Sequence, residues 1–413
     1  MAPQRIDRAE LAGVLPPGGL TLVSSCSAES AVLADAVEHA GAALGAMTFS
    51  GIFVPGLNRR TWLGGPDCSV LTFFMTPELR AAGDKVEFLP LCYQDIRAEL
   101  RRRKPAAALF MCAPPDASGN CSFGTEVAFI ADLWREIPIR IAHVNPSMPS
   151  TAGDPGIPFA ALTGFIEADQ PLLSIDPGPG DPVAQTIASH VVPFVADGAT
   201  LQTGLGKIPD AVLHALAIRR RLRVHTGLMG DGVLTLAKAG ALAPGRCALV
   251  GVAIGSQELY AQLNHQAFQF RPVSVTHGAA ALAGIANLVT INSAIEVDLF
   301  GQAFAELTPR GLMSGPGGAS DFARGARPGG GTRIVVLPAA AGGGRISRIV
   351  APGRGSGPVS LGRMDVDLIV TEHGVADLRG TTYRARADAL IAIASPDHRA
   401  GLASAWSAFS EQL

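Results

Sequence analysis

Short apolar runs alternate with amphipathic stretches along most of this chain. Leu20–Val23 has the length and composition of a strand, and Ala28–Ala43 has the periodicity of an amphipathic helix. The next elements that the pattern predicts are strands at Val86–Leu89, Ala106–Met111 and Ile139–Val144, with helices at Gln94–Arg102 and Thr125–Glu136. Alternation of this kind is typical of a mostly parallel sheet that is covered by helices on both faces.

A run of turn-forming residues, Asp176-Pro177-Gly178-Pro179-Gly180-Asp181-Pro182, is the clearest candidate for a domain boundary. A second βα pattern follows it. The predicted elements are helices at Pro182–Val192 and Pro209–Ala217, and strands at Thr200–Thr203, Cys247–Ala253, Leu288–Ile291, Ile334–Leu337 and Leu368–Thr371. We therefore predict an α/β protein with two open domains of mostly parallel sheets, at residues 1–180 and 181–413.

Composition narrows the class of protein. The chain has 413 residues, of which 48% are hydrophobic and 16% charged, so it has enough apolar side chains for a large core. The formal charge of −2 gives no basic surface for nucleic acid or an anionic membrane. No signal peptide or membrane-spanning run is evident, which favours a cytoplasmic protein. Buried free thiols in a reducing compartment are expected for Cys26, Cys68, Cys92, Cys112, Cys121 and Cys247, because none form a Cys-x-x-Cys pair.

Two glycine-rich loops are the best candidates for ligand contacts. Gly204-Leu205-Gly206-Lys207 follows a predicted strand and opens a helix, where unpaired N–H groups face an anion or an oxyanion. A second loop, Ser314 to Phe322, contains Gly315, Gly317, Gly318 and Asp321, and a helix is predicted from about Ala319. A phosphate or pantetheine chain fits such a loop. A sharp structural turn explains each loop equally well, and the nine histidines form no cluster typical of a metal site.

Several further segments are distinctive when taken together in their order and spacing. They are Ala113–Asp116 with Gly119–Gly124, Val144–Pro149, Gly198–Leu213, Ile291–Leu299 with Gly301 and Gln302, the Gly315 loop, Ile346–Val350 and Thr371–Gly380. Nearly the whole chain resembles the acetyl-CoA hydrolase/CoA-transferase family, and in particular the 4-hydroxybutyrate/acetate CoA-transferases.

The resemblance implies two CoA-transferase-type α/β domains, a homodimer, and an acyl-CoA or related thioester as substrate with no separate cofactor. It also implies that the loops at Gly204 and Gly315 line the active site, the latter near CoA. In the family a His-Thr-Glu segment supplies a glutamate that attacks the thioester and forms a glutamyl-CoA intermediate. Here the corresponding residues are His225, Thr226 and Gly227, so the nucleophile is missing. Gly342 and Arg345 stand where the family commonly has two lysines, and Arg345 retains one cation for CoA.

Other residues are candidates for catalytic roles in place of the missing glutamate. His225 lies two positions before Gly227, so on a strand it faces the same side and is placed to act as a general base. A hydrogen-bonded buried histidine is the competing interpretation. Glu296 and Glu372 match family positions at which carboxylates orient the site, and each is also a candidate for a relocated nucleophile. Asp231 is interpreted as a turn residue.

Three functions remain open from the sequence. In the first, the enzyme passes the acyl group of a thioester to water or to a small amine or alcohol, without a glutamyl-CoA intermediate. In the second, it is a CoA-transferase between carboxylic acids that uses a relocated carboxylate. In the third, it is a non-catalytic CoA-binding or assembly protein.

Overall fold

The computed structural model describes residues 3–176, 178, 180–308 and 311–412. Pro177 and Pro179 of the predicted boundary therefore lie outside the described residues. The protein has the predicted α/β fold with large, mostly parallel sheets. Its contacts divide the chain into two compact units: unit 1 comprises residues 1–176 and 248–278, and unit 2 comprises residues 177–247 and 279–413. This division differs from a single boundary at residue 180, because residues 248–278 group with the first unit.

Helices and strands are numbered here in chain order. The strands are β1 (Gln4–Arg5), β2 (Leu20–Val23), β3 (Thr48–Gly51), β4 (Ser69–Thr72), β5 (Val86–Phe88), β6 (Ala107–Cys112), β7 (Asn120–Cys121), β8 (Ile139–Val144), β9 (Ile157–Pro158), β10 (Gly164–Glu167), β11 (Thr200–Thr203), β12 (Arg223–Met229), β13 (Ala248–Ala253), β14 (Phe268–Phe270), β15 (Leu288–Ser293), β16 (Glu296–Asp298), β17 (Ala303–Phe304), β18 (Leu307–Thr308), β19 (Gly311–Leu312), β20 (Thr332–Val336), β21 (Ala340–Ala341), β22 (Ile346–Ser347), β23 (Ile349–Val350), β24 (Leu368–Thr371) and β25 (Gly374–Asp377). The helices are α1 (Leu11–Val14), α2 (Ala31–Ala40), α3 (Pro77–Ala81), α4 (Tyr93–Arg103), α5 (Ala128–Leu133), α6 (Pro182–Val191), α7 (Lys207–Ala215), α8 (Asp231–Lys238), α9 (Gln257–Ala261), α10 (Val273–Thr276), α11 (Ala279–Ala283), α12 (Ala319–Ala326), α13 (Tyr383–Ala392) and α14 (Pro396–Ser410).

Unit 1 is built on an eight-stranded sheet in the order β1-β10-β8-β6-β2-β3-β4-β5, in which every neighbouring pair is parallel. All six residues of the central strand β6 are buried, as expected for a parallel strand covered on both faces. Strands β13 and β14 form a further parallel pair in this unit. Among the cysteines, which are free thiols, five are buried as predicted and Cys92 is half-buried.

Two helices of unit 1 are shorter than their sequence periodicity predicts. Helix α2 begins only at Ala31, because the side chain of Ser30 caps it by accepting a hydrogen bond from Leu33 N. Helix α5 begins at Ala128 because the residues before it pair with β13: Ala253 N donates to Thr125 O at 2.9 Å. Long-range backbone hydrogen bonds therefore override the helical pattern at Thr125 and Glu126.

Unit 2 has the strand order β12-β11-β15-β20-β24-β25, in which the first five strands are parallel and β25 is antiparallel to β24. A smaller sheet, β17-β16-β23, and the hairpins β18–β19 and β21–β22 complete it. A core beneath these sheets includes Val297, Val335, Ile369, Leu390 and Trp406. In the described part of the chain, no helix combines the length and apolarity that a bilayer crossing needs.

Candidate active site

The carboxyl ends of the parallel strands in unit 2 lie along one edge of the sheet, the usual location of ligands in open α/β folds. Three of the residues singled out from the sequence lie at this edge. Gly204 directly follows β11, Gly227 lies near the end of β12, and Glu372 directly follows β24. Strands that are far apart in the chain thus place along one edge residues that sequence spacing alone does not connect.

Three helices begin at this edge with a glycine as N-cap. Helices α7 and α8 follow β11 and β12 within a few residues, and their N-caps are Gly206 and Gly230. Helix α12, with Gly318 as N-cap, ends just before β20 begins, so its N-terminus lies toward the same edge. None of these caps makes a side-chain hydrogen bond, whereas Ser30 and Asp181 do cap their helices. The N-cap residues of α7, α8 and α12 therefore cap no first-turn N–H group through a side chain, although in α8 the N–H of Gly232 donates to the Asp210 carboxylate. Helix N-termini are typical binding positions for an anion or oxyanion.

Close packing draws the starts of α7 and α8 together. A Cβ atom at Gly232 would lie 2.7 Å from Leu213 Cδ1 and 2.8 Å from Asp210 Oδ1, so only glycine allows this approach. Burial raises the pKa of Asp210, while His214 and the N–H of Gly232 partly offset that effect. Lys207, the first residue of α7, is exposed.

The glycine loop before α12 is only partly exposed. Gly315 is buried, Gly317 has a φ of +62° that favours glycine, and Asp321 lies in the first turn of the helix. The predicted helix start at Ala319 is confirmed. Gly317 is required by the backbone turn, and Gly318 is the N-cap of α12. A structural role in the turn and contact with a ligand are therefore compatible for this loop.

His225 and Gly227 lie on the same face of β12, as the sequence predicts. His225 is 8% exposed, and Gly227 is half-buried. The parallel register pairs Leu201 with Val224, and its continuation places Gln202 beside His225 and Gly204 beside Gly227. The hydrogen bond from Thr226 Oγ1 to Thr203 O, at 2.9 Å, supports this continuation.

Sequence reasoning missed a pair of buried amides on this face. Gln202 Nε2 donates to Asn292 Oδ1 at 3.2 Å, and Asn292 Nδ2 donates to Gln202 Oε1 at 3.1 Å. Gln202 is 3% exposed and Asn292 7%. A polar side chain within an apolar strand was the available signal for each residue. The two residues are 90 positions apart, so the sequence does not predict that they pair.

Glu296 lies in β16 and is 5% exposed. Its Oε2 accepts a hydrogen bond from Ser356 N at 2.8 Å, and its Oε1 accepts one from Ser356 Oγ at 3.3 Å. Ser356 lies between Gly355 and Gly357, which pack tightly against Phe304 and Leu307. Both carboxylate oxygens of Glu296 therefore hold a glycine-flanked loop.

Glu372 is bonded in a similar way. Its Oε2 accepts a hydrogen bond from Ala339 N at 2.8 Å, and its Oε1 lies 3.8 Å from His373 Nε2. Ala339 leads into the hairpin β21–β22, whose turn contains three successive glycines with positive φ, Gly342 to Gly344. The exposed Arg345 ends this turn, so Glu372 supports the loop that carries the remaining cation.

In the described part of the chain, no group of three or more His, Cys, Asp or Glu side chains could hold a metal ion.

Comparison with known proteins identifies the family. Residues 255–406 match the model of the acetyl-CoA hydrolase/transferase C-terminal domain. Over 329 residues, the chain is 36% identical to 4-hydroxybutyrate coenzyme A transferase of Clostridium kluyveri, covering 77% of this chain and 76% of that protein. The chain belongs to the acetyl-CoA hydrolase/CoA-transferase family.

A second relative and a solved structure agree with this assignment. Succinyl-CoA:cyclohexane-1-carboxylate CoA transferase of Geobacter metallireducens is 34% identical, with 82% of this chain and 80% of that protein covered. The crystal structure of RipA from Yersinia pestis superposes with a TM-score of 0.89 at 26% identity, covering 98% of this chain and 97% of that one. Within the family match of residues 255–406 lie Asn292, Glu296, the Gly315 loop, Arg345 and Glu372, whereas His225 and Gly227 precede it.

Proposed function

We propose that this family member is an acyl-CoA-processing enzyme that passes the acyl group directly to water or to a small amine or alcohol, without a glutamyl-CoA intermediate. The names of its relatives support acyl-CoA as the substrate class. Gly227 supports the absence of a glutamyl-CoA intermediate, because a residue without a side chain cannot attack a thioester. The glutamyl-CoA route that the family resemblance implies depends on such an attack.

The hydrogen bonds of the two candidate carboxylates favour direct transfer over a relocated nucleophile. Glu296 is held through both oxygens by Ser356, and Glu372 is held by Ala339 N. A carboxylate must leave such donors to reach a thioester carbon, which breaks hydrogen bonds from partly buried N–H groups that contribute about 1 kcal/mol or more each. We therefore assign both glutamates to positioning the loops around the site.

The proposed reaction uses His225 as general base. The attacking oxygen or nitrogen forms a bond to the acyl carbon while its proton passes to His225. The carbon–sulfur bond then breaks, and the leaving CoA thiolate takes up that proton, so that acyl product and free CoA are formed. The positive dipole ends of α7, α8 and α12 stabilise the developing oxyanion electrostatically.

Restoring the carboxylate tests this proposal. We expect wild-type protein to release CoA from acyl-CoA substrates, to show no CoA-sized mass adduct after quenching, and to show no glutamate reduced to its alcohol after borohydride treatment. Gly227→Glu should gain that adduct under turnover, and the matched control Gly227→Gln, which has similar size but no nucleophile, should not.

Two other outcomes contradict the proposal. A CoA adduct on Glu296 or Glu372 of the wild type establishes a relocated carboxylate. Binding of acyl-CoA by calorimetry without CoA release, with water, amines and alcohols all supplied, establishes a non-catalytic binding protein.

A further inference from the structure

The buried amide pair retains hydrogen-bonding capacity that the described residues do not use. Each side-chain amide has two N–H donors and an oxygen with two lone pairs. The reciprocal bonds between Gln202 and Asn292 use one donor and one lone pair of each. One N–H and one lone pair per amide therefore remain, on side chains that are 3% and 7% exposed. The remaining N–H and lone pair of each amide are thus available to a bound water or ligand.

Open space lies directly beside the pair. A Cβ atom built on Gly204 would meet no heavy atom within 4 Å. Gly204 N donates to Ile291 O at 3.3 Å, which continues the ladder of β11 with β15 and aligns Gly204 with Asn292. Gly204 lies two residues after Gln202 and therefore on the same face. This face at the end of the sheet thus combines two glycines, Gly204 and Gly227, with the amides and His225.

We propose that the open space beside Gly204 is the binding site for the acyl acceptor, and that the acceptor is a small neutral molecule with a hydroxyl or amino group. The inference rests on the proposed function and specifies its acceptor. A hydroxyl or amine both donates and accepts hydrogen bonds, which matches the remaining capacity of the amides. A carboxylate acceptor, which only accepts, would leave the second lone pair of each amide oxygen unused. The amides orient the acceptor, and His225 takes its proton as the bond to the acyl carbon forms.

Filling the space beside Gly204 is the first part of the test. Gly204→Ala places a methyl group in open space at a residue without positive φ, so folding should be unaffected. Hydroxylamine serves as the acceptor probe, because it is small and carries both groups, and hydroxamate is the product measured above the uncatalysed background. We expect Gly204→Ala to raise the KM for hydroxylamine at least tenfold, with unchanged affinity for a non-reactive CoA thioether. Gly401→Ala, another position with no atom within 4 Å, is the matched control.

Removing one amide is the second part. Gln202→Met keeps the size of the side chain and removes its polar atoms. We expect the ratio of hydroxamate to free acid, at one hydroxylamine concentration, to fall at least tenfold. A purely structural role of Gln202 would lower both products together and leave their ratio unchanged.

The outcomes separate this inference from the proposed function. If wild type releases CoA but neither variant changes the acceptor KM or the product ratio, the acceptor site is wrong and the proposed function stands. If wild type releases no CoA with hydroxylamine or water, the proposed function is wrong and the acceptor site fails with it. A higher acceptor KM together with an altered product ratio supports the site.

Discussion

Glu29 in unit 1 should make the stability of the protein fall as pH rises through neutrality. The residue is 5% exposed, and its Oε1 makes no hydrogen bond within the described residues. Burial, the largest cause, raises the pKa of Glu29 from 4.5 to about 7, although Arg60 and nearby polar groups oppose the effect. The perturbation that tests this is Glu29→Gln, which keeps the shape of the side chain and removes its charge.

The sign and size follow from proton linkage. Because the folded-state pKa is above the unfolded value, the folded protein binds the extra proton between these pH values. Its contribution to stability is fully present below pH 4.5 and is lost as pH rises through about 7. Each pH unit corresponds to about 1.36 kcal/mol, so the whole interval amounts to about 3 kcal/mol. For a unit of about 200 residues, that free energy corresponds to roughly 6–12 °C in Tm.

Thermal unfolding of wild type and Glu29→Gln between pH 5 and 9 measures this difference directly. We expect the Tm of the variant, relative to wild type, to increase by several degrees across that range. Burial and the charge of Glu29 also raise the pKa of Glu126 to about 7, so the same comparison is made with Glu126→Gln in both proteins. Glu411→Gln, at an exposed residue, should show no such trend. A Tm difference between Glu29→Gln and wild type that is the same at pH 5 and pH 9 would refute the reasoning.

Four further variants test the structure around the candidate site. Gly355→Ala places a Cβ 2.2 Å from Phe304 Cζ and should cost about 1–3 kcal/mol of stability, so an unchanged Tm contradicts the packing described for this loop. Glu296→Gln and Glu372→Gln should lower the rate of CoA release by less than about tenfold, because positioning bonds survive the change, whereas loss of a covalent nucleophile costs several orders of magnitude. His225→Gln should lower kcat by about 100-fold or more with unchanged affinity for a CoA thioether; a kcat close to wild type removes His225 from the mechanism.

Local pattern was sufficient for many strands and for some helix ends. The apolar runs Leu20–Val23, Ile139–Val144, Thr200–Thr203 and Leu368–Thr371 form strands with the predicted bounds. Such runs are buried on both faces of a parallel sheet, so their length alone marks them. Helix α5 was predicted too long, since its first residues pair with a strand more than 120 positions later. The periodicity of the sequence predicts a helix there and does not show that pairing with β13 competes with it.

The sequence by itself determined the α/β class, the family resemblance and the absence of a side chain at residue 227. Each of these depends on residue types and on spacing along the chain. The tertiary structure alone decided that Gln202 and Asn292 pair, that Glu296 bonds to Ser356, and that three glycine-capped helices begin at one edge of a sheet. Parallel strands are joined by long crossovers, so residues distant in the chain meet at their carboxyl ends. The folded sheet, and not the spacing of residues, therefore assembles the site.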